Sequence, residues 1–467
     1  MTQTEKPIRR LFVANRGEIA LRIVKAAQSM GIHAVVGVSE ADVETLAARV
    51  ADESVVIGPA AAGESYLRID RVIAAAKATR CDALHPGYGF LSERPAFARA
   101  CAEAGITFVG PSPSAIESMG DKITAVRLAG EAGVPRVPGS GALRDADHAV
   151  SVASGIGYPV LIKASAGGGG RGMRIVREPV EIAQALQSAT AEASAAFGDG
   201  TVYIEKFIED ARHIEIQVLG DSFGNVIHLG ERDCSTQRRH QKLIEESPSP
   251  AVDETLREEM ARCAIELARR VSYVGAGTIE FVVDSRSNQF YFLEMNTRVQ
   301  VEHPVTEMVT GVDIVREQIR VAQGMPLSIR QEEVRMVGHS IECRINAEDP
   351  DRNFLPRPGL ITAWTPPAHD GVRLDSHCYA GYQVPQYYDS LIGKLIVHAA
   401  TRPEAIALMR AALADFRIEG IPSTLGFHAE VMREEAFVHG RMTTRWVEQT
   451  FLPQRKARLK RQAQPVA

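Results

Sequence analysis

The chain has 467 residues, with 53 Lys and Arg against 58 Asp and Glu, for a formal charge of −5. That length is too great for one hydrophobic core, so two to four domains are expected, and the charge balance gives no footing for nucleic acid or an acidic membrane as partner. Six scattered cysteines (Cys81, Cys101, Cys234, Cys263, Cys343 and Cys378) form no C-x-x-C pair, so neither a zinc site nor a disulfide framework is suggested, and reduced thiols in a cytoplasmic protein fit best.

Residues 11–15 read as a strand. Residues 17–30 read as a helix with Ile19, Ile23, Val24, Ala27 and Met30 at helical spacing, stopped by Gly31. Strands at 34–38, 55–57, 83–84 and 106–109 alternate with helices at 44–51, 67–77 and 96–104. Such alternation implies a parallel sheet covered by helices. A helical connector over 113–133 leads to a small α+β lobe that closes near Lys206. Two hairpins follow: 214–219 against 226–229 across the turn Asp221-Ser222-Phe223-Gly224-Asn225, and 278–283 against 289–295. More strands and helices come next, including an amphipathic helix near 403–416. The basic run with Arg455, Lys456, Arg458, Lys460 and Arg461 is expected to be a solvated, disordered tail. No apolar run is long enough to span a bilayer, and the N-terminus has no signal-peptide core.

The stretch Lys163-Ala164-Ser165-Ala166-Gly167-Gly168-Gly169-Gly170-Arg171-Gly172-Met173 is the densest local signal. Consecutive glycines let backbone N–H groups approach phosphate oxygens. Gly167, Gly169 and Gly172 satisfy G-x-G-x-x-G, but a dinucleotide fingerprint opens a helix, and Met173–Val176 is β-prone. No G-K-[ST] follows, which excludes a Walker loop. What remains is a hairpin lid over a triphosphate, with Lys163 on the incoming strand; a surface hairpin without ligand is the plain alternative.

The second hairpin carries Glu280 on one strand and Glu294 on the other. A turn near Arg286-Ser287 sets them roughly opposite, about 5 Å apart at Cβ, where two carboxylates repel unless a cation lies between them. Asn296 falls on the same face as Glu294, and two carboxylates with an amide oxygen suit Mg²⁺. Arg298, Gln300 and Glu302 then alternate. The arginine suits a small planar anion such as bicarbonate and the carboxylate suits its general base. Taken alone, an Arg298–Glu302 ion pair on a loop explains the same residues.

Ordered motifs run from about Ile8 to about Gln449: Ala14-Asn15-Arg16-Gly17-Glu18-Ile19-Ala20, His85-Pro86-Gly87-Tyr88-Gly89-Phe90, Met119-Gly120-Asp121-Lys122, the glycine loop, Arg212-His213-Ile214-Glu215, Gln237-Arg238-Arg239-His240-Gln241-Lys242, Glu294-Met295-Asn296-Thr297-Arg298 and Glu342-Cys343-Arg344-Ile345-Asn346. In these the chain resembles biotin carboxylases of the ATP-grasp superfamily. The resemblance implies an α/β and α+β multidomain fold: a Rossmann-like parallel-sheet domain over 1–112, a helical connector over 113–136, an ATP-grasp core with a mobile lid over 137–207 and a catalytic part over 208–335, a mixed α+β domain over 336–452, and the tail 453–467.

It also implies roles. Lys122, Lys163, Gly168, Gly169 and Gly170 meet the ATP phosphates. Glu205, Lys206 and Ile208 hold the adenine edge, with Leu161 and Met173 on its faces, and His213, Gln237 and His240 contact the sugar and phosphates. Glu280, Glu294 and Asn296 bind Mg²⁺ (or Mn²⁺). Lys242, Arg298, Gln300 and Val301 hold bicarbonate, Glu302 is its base, and Arg344 stabilises the biotin enolate. Ala166 stands where many relatives have glycine. Biotin carried on a separate biotin carboxyl carrier protein, a separate carboxyltransferase and a homodimer are the implied partners, with acetyl-CoA the leading final acceptor and propionyl-CoA, pyruvate or another acceptor the alternatives, so that the subunit of a pyruvate or other carboxylase stays open. An ATP-grasp ligase acting on an amine, a non-catalytic docking subunit and a dinucleotide oxidoreductase are the rival readings.

Overall fold

The computed structural model describes residues 6–165 and 173–462. Two compact units form: Met1–Val134 with His213–Phe281 and Leu293–Ala467, and Pro135–Arg212 with Val282–Phe292.

The first unit opens with five parallel strands, β1 (Arg10–Val13), β2 (His33–Ser39), β3 (Glu53–Gly58), β4 (Ala83–His85) and β5 (Thr107–Phe108), ordered β3-β2-β1-β4-β5. Leu11, Val13, Ala34 and Val36 pack under the helix Gly17–Ser29 through Ile19, Ile23, Val24 and Ala27, the face expected from its spacing. At the carboxyl ends of β1 and β4, Asn15 Nδ2 donates to the carbonyls of Pro86 and Tyr88, both at 2.7 Å. Gly87, at φ +61°, has no room for a side chain there, because a Cβ would meet Asn15 Nδ2 at 2.8 Å. The connector is two helices, Pro113–Gly120 and Lys122–Glu131, rather than one. Asp121 ends the first in an extended conformation and caps the second by accepting from Thr124 N–H.

The second unit holds three antiparallel strands, β6 (Val160–Ala164), β7 (Arg174–Val176) and β8 (Val202–Lys206), ordered β7-β6-β8. Val160, Ile162, Val202 and Ile204 point inward against Ala149, Ala153, Ala189 and Ala193 of two helices. Gly168, Gly169 and Gly170 lie outside the described residues.

The large sheet has eight strands: β9 (Ala211–Gly220), β10 (Val226–Arg238), β11 (Gln241–Ser247), β12 (Gly275–Asp284), β13 (Phe290–Asn296), β14 (His339–Asn346), β15 (Val372–Ser376) and β16 (Leu391–Ala399), ordered β13-β12-β9-β10-β11-β14-β16-β15. Both expected hairpins are present; Ile227 stands opposite Leu219, and Asp221 Oδ1 closes the first turn by accepting from Phe223 and Asn225 N–H. On β14, Ile341, Cys343 and Ile345 enter the core with Leu395, Val397 and Met409. Strand alternation turns Glu342 and Arg344 to the other face.

The basic tail is not a disordered strand of charge as far as Gln462: a helix spans Leu452–Gln462. Arg455 reaches Glu430 at 2.9 Å and Asp351 at 2.6 Å, and Arg458 reaches Glu434 at 3.0 Å. Phe451, fully buried at its start, anchors it. The charges are met by acids on other segments, which a local run of sequence does not contain.

Candidate active site

β9 alternates Ile214, Ile216 and Val218 on one face with His213, Glu215 and Gln217 on the other. β11 adds Lys242, whose Cα partner on β10 is Gln237. Lys242 Nζ donates to Glu215 Oε2 at 2.6 Å, Glu280 Oε1 at 2.8 Å and Glu302 Oε1 at 2.6 Å. Glu302 Oε2 accepts from Arg344 at 2.9 Å, and the same guanidinium donates to Glu245 at 2.6 Å. Behind them Arg232, fully buried, donates to Glu215, Gln217, Thr278, Gln300 and Thr306.

Gln300 bridges the layers: its oxygen accepts from Arg232 at 2.8 Å and its amide donates to Glu280 at 2.8 Å. Arg298 donates to Asn296 Oδ1 at 2.8 Å and pairs with Glu93 at 3.0 Å. The pairing of Arg298 with Glu302 alone, open from sequence, is therefore not what forms: Arg298 takes Glu93, and Glu302 takes Lys242 and Arg344. A cavity of about 410 Å³ opens beside this cluster, with Glu93, Lys122, Glu294 and Asn296 in its wall. Capping by Asp121 sets Lys122 as the first residue of its helix on that wall.

The electrostatics follow from burial and pairing. Burial alone would raise the Glu302 carboxyl, but Lys242, Arg344 and Arg232 override it and hold it far below the usual carboxylate range. Glu280 is likewise held well below, by Lys242 and His213 against burial; His213 Nε2 stands 3.0 Å from Glu280. Burial would lower Lys242, yet the Glu215, Glu280 and Glu302 carboxylates keep it well above its ordinary value. Glu245 goes the other way, pushed up to about 7 by burial despite Arg344.

The expected Mg²⁺ ligands fit the ion's chemistry. Glu294 opens on the cavity with its carboxyl raised, first by loss of solvation and then by the Glu280 carboxylate. A divalent cation beside both relieves that repulsion, and oxygen donors suit Mg²⁺. Asn296 donates its amide nitrogen to Glu280 at 3.0 Å and keeps its oxygen on Arg298, so joining the ligand set requires the amide to rotate.

Of the other expected residues, Gln237 is buried beside His213, 3.5 Å from its Nδ1. His240 stands exposed at the β10–β11 tip with φ +64°. Val301 turns its carbonyl toward Lys394 at 2.9 Å. In the second unit, Lys163 pairs with Glu205 at 2.8 Å, and Lys206 donates to the carbonyls of Gly157 and Tyr158 at 2.9 and 3.1 Å. Leu161, Met173 and Ile208 are half-buried. Cys234 and Cys343 are fully buried, as packing residues should be. The residues that sequence reasoning gave no role are Glu93, Glu215, Arg232, Glu245 and Lys394. Period-two alternation His213/Glu215/Gln217 was a usable signal for Glu215; a buried arginine reads the same as a surface one.

Known proteins share this arrangement of elements. Family models match in three blocks: biotin carboxylase N-terminal domain over residues 7–116, carbamoyl-phosphate synthase L chain ATP binding domain over 121–330, and biotin carboxylase C-terminal domain over 342–449. Biotin carboxylase 1 of Bacillus subtilis is 54% identical over 94% of this chain and 98% of its own length. The solved biotin carboxylase–β,γ-ATP complex of Campylobacter jejuni is 52% identical, with a TM-score of 0.88 over 94% of this chain and 98% of that one. The biotin carboxylase domain dimer of Hydrogenobacter thermophilus 2-oxoglutarate carboxylase, solved with MgADP, ADP and bicarbonate, is 47% identical with a TM-score of 0.86, over 95% and 97%.

Proposed function

Because this chain belongs to the biotin carboxylase family of ATP-grasp ligases, we propose that the cluster around Lys242 is where it performs the first half-reaction of an acetyl-CoA carboxylase. The reaction carboxylates biotin at the expense of ATP and bicarbonate. A bicarbonate oxygen attacks the γ-phosphorus, the bond to ADP breaks, and carboxyphosphate forms. Carboxyphosphate collapses to CO₂ and phosphate. Phosphate takes the ureido proton, and the biotin nitrogen attacks CO₂.

Phosphoryl transfer of this kind depends on positioning and charge neutralisation. Lys122 and Lys163 meet phosphates; Gly168, Gly169 and Gly170 cover them; His213, Gln237 and His240 contact sugar and phosphates. Glu205, Lys206, Ile208, Leu161 and Met173 receive the adenine. Magnesium, held by Glu280 and Glu294 with Asn296, supplies neutralising charge on the triphosphate. Arg298, Gln300, Val301 and Lys242 seat bicarbonate, Glu302 takes its proton, and Arg344 offsets charge on the ureido oxygen. The observation that carries the reading is the Glu302 carboxylate bonded to both Lys242 and Arg344, with Arg298 and the Glu280/Glu294 pair alongside. Cations ringing the Glu302 carboxylate suit an anionic substrate seated beside it, whose own charge offsets the pull they exert on that carboxylate.

Biotin on a carrier protein, assembly as a dimer, work in the cytoplasm and a place in fatty acid biosynthesis belong to the same proposal. Support comes from the close bacterial relatives and from the dimeric Hydrogenobacter domain. The test is ADP release by this chain with ATP, Mg²⁺, bicarbonate and free biotin. Release should require both bicarbonate and biotin. Release that ignores biotin and responds to an amine acceptor would replace the reading with an amine ligase.

A further inference from the structure

Lysine is almost never fully buried unless its charge is met, and Lys394 on β16 is fully buried. Its Cα partner across the sheet is Arg344, so the two side chains share a face. Lys394 Nζ donates to the Val301 carbonyl at 2.9 Å and pairs with Glu18 at 3.0 Å, with Asp375 at 3.9 Å. Asp375 is already held by two bonds from Arg373, at 2.8 and 2.7 Å. Glu18 also accepts from the Tyr88 hydroxyl.

The Val301 carbonyl belongs to the peptide unit that joins Val301 to Glu302, and that unit is planar. Anchoring its oxygen therefore restrains the plane from which the Glu302 Cα and side chain depart. Glu302 sits outside regular strand geometry, as the N-cap of the helix His303–Thr310, with φ −82° and ψ 8°. Its own carbonyl accepts from Val305 N–H at 3.3 Å, and the carbonyl before it, that of Val301, is met by Lys394.

We propose that Lys394 is a positioning residue for bicarbonate activation: from behind the site it locks the Val301–Glu302 peptide so that the Glu302 carboxylate stays between Lys242 and Arg344. The inference rests on the reading that Glu302 acts on bicarbonate. A purely structural lysine, present only to neutralise Glu18, would leave the bicarbonate parameters alone.

The test compares the full chain, Glu18→Gln, and Glu18→Gln with Lys394→Met; the double change removes both members of the buried pair, so neither charge is orphaned. Each is assayed for biotin-dependent ADP release against bicarbonate and against ATP, and for thermal melting. The double variant should lose on the order of 10- to 100-fold in kcat/KM for bicarbonate relative to Glu18→Gln, since small misplacements cost that much. Its KM for ATP should stay within about twofold, as no ATP contact is touched. Bicarbonate parameters equal to those of Glu18→Gln overturn the inference. If the double variant does not fold, Lys394→Arg decides by the same assay: it keeps the charge but shifts the donor, and parental bicarbonate parameters overturn the inference. A parent chain whose ADP release ignores bicarbonate removes the underlying reading and the inference with it.

Discussion

Glu302→Gln is the sharpest single change. The substitution keeps the side chain's size and removes one charge from a site where Lys242 lies at 2.6 Å and Arg344 at 2.9 Å. An amide cannot take a proton from bicarbonate, and its one oxygen can accept from only one of the two cations at full strength. Loss of a positioned base costs about 10²- to 10⁴-fold in rate, or about 2.7–5.4 kcal/mol at 1.36 kcal/mol per tenfold. The assay is bicarbonate-dependent carboxylation of free biotin, followed by labelled bicarbonate and by ADP release. Turnover should fall by that range while KM for ATP moves less than about twofold. Turnover within tenfold of the parent would refute the assignment of the proton to Glu302. The variant also carries a pH signature. The Glu302 carboxyl is held below its ordinary value of 4.5, so the stability it contributes is complete above about that pH and is lost as pH falls further. Denaturation of Glu302→Gln should therefore show a shallower acid limb than the parent.

Two other outcomes follow from the same cluster. Arg232→Met strips a fully buried cation from five acceptors, and should cost about 3–5 kcal/mol of unfolding free energy in urea; a loss below about 1 kcal/mol would mean the acceptors repack without it. Glu245, with its carboxyl pushed up to about 7, favours the protonated form in the folded chain, so its contribution is present below about pH 4.5 and lost as pH rises through about 7. Glu245→Gln should flatten the decline in stability between about pH 5 and about pH 8, and an unchanged decline would assign it to another group.

Much of this architecture was legible because period and polarity agree along the chain. The alternation that predicted a parallel sheet is borne out strand by strand from Arg10 to Phe108, with boundaries shifted by one or two residues. The hairpins carrying His213, Glu280 and Glu294 were readable because short apolar runs flank turn residues. The charge network was not. Arg232 lies between Glu231 and Asp233, and Lys394 sits in a mostly apolar strand; nothing local says that the arginine will meet five acceptors from distant segments or that the lysine will be wholly enclosed. The tail failed for the same reason: Arg455 finds Asp351 and Glu430, partners that no window around residue 455 contains. Asp121 was visible in its motif, but its action as a breaker between two helices appears only once Thr124 N–H is seen to bind it.

The stitch from Asn15 to the backbone after β4 has a consequence for what the opening sheet can do. In sheets wound with this order, the seam between the two central strands is where a nucleotide's pyrophosphate would settle. Here one amide bridges that seam to two carbonyls, and Gly87 leaves no slack above it. The stitch thus ties the loop after β4 down on the end of β1, and farther along that loop carries Glu93 across to the guanidinium of Arg298.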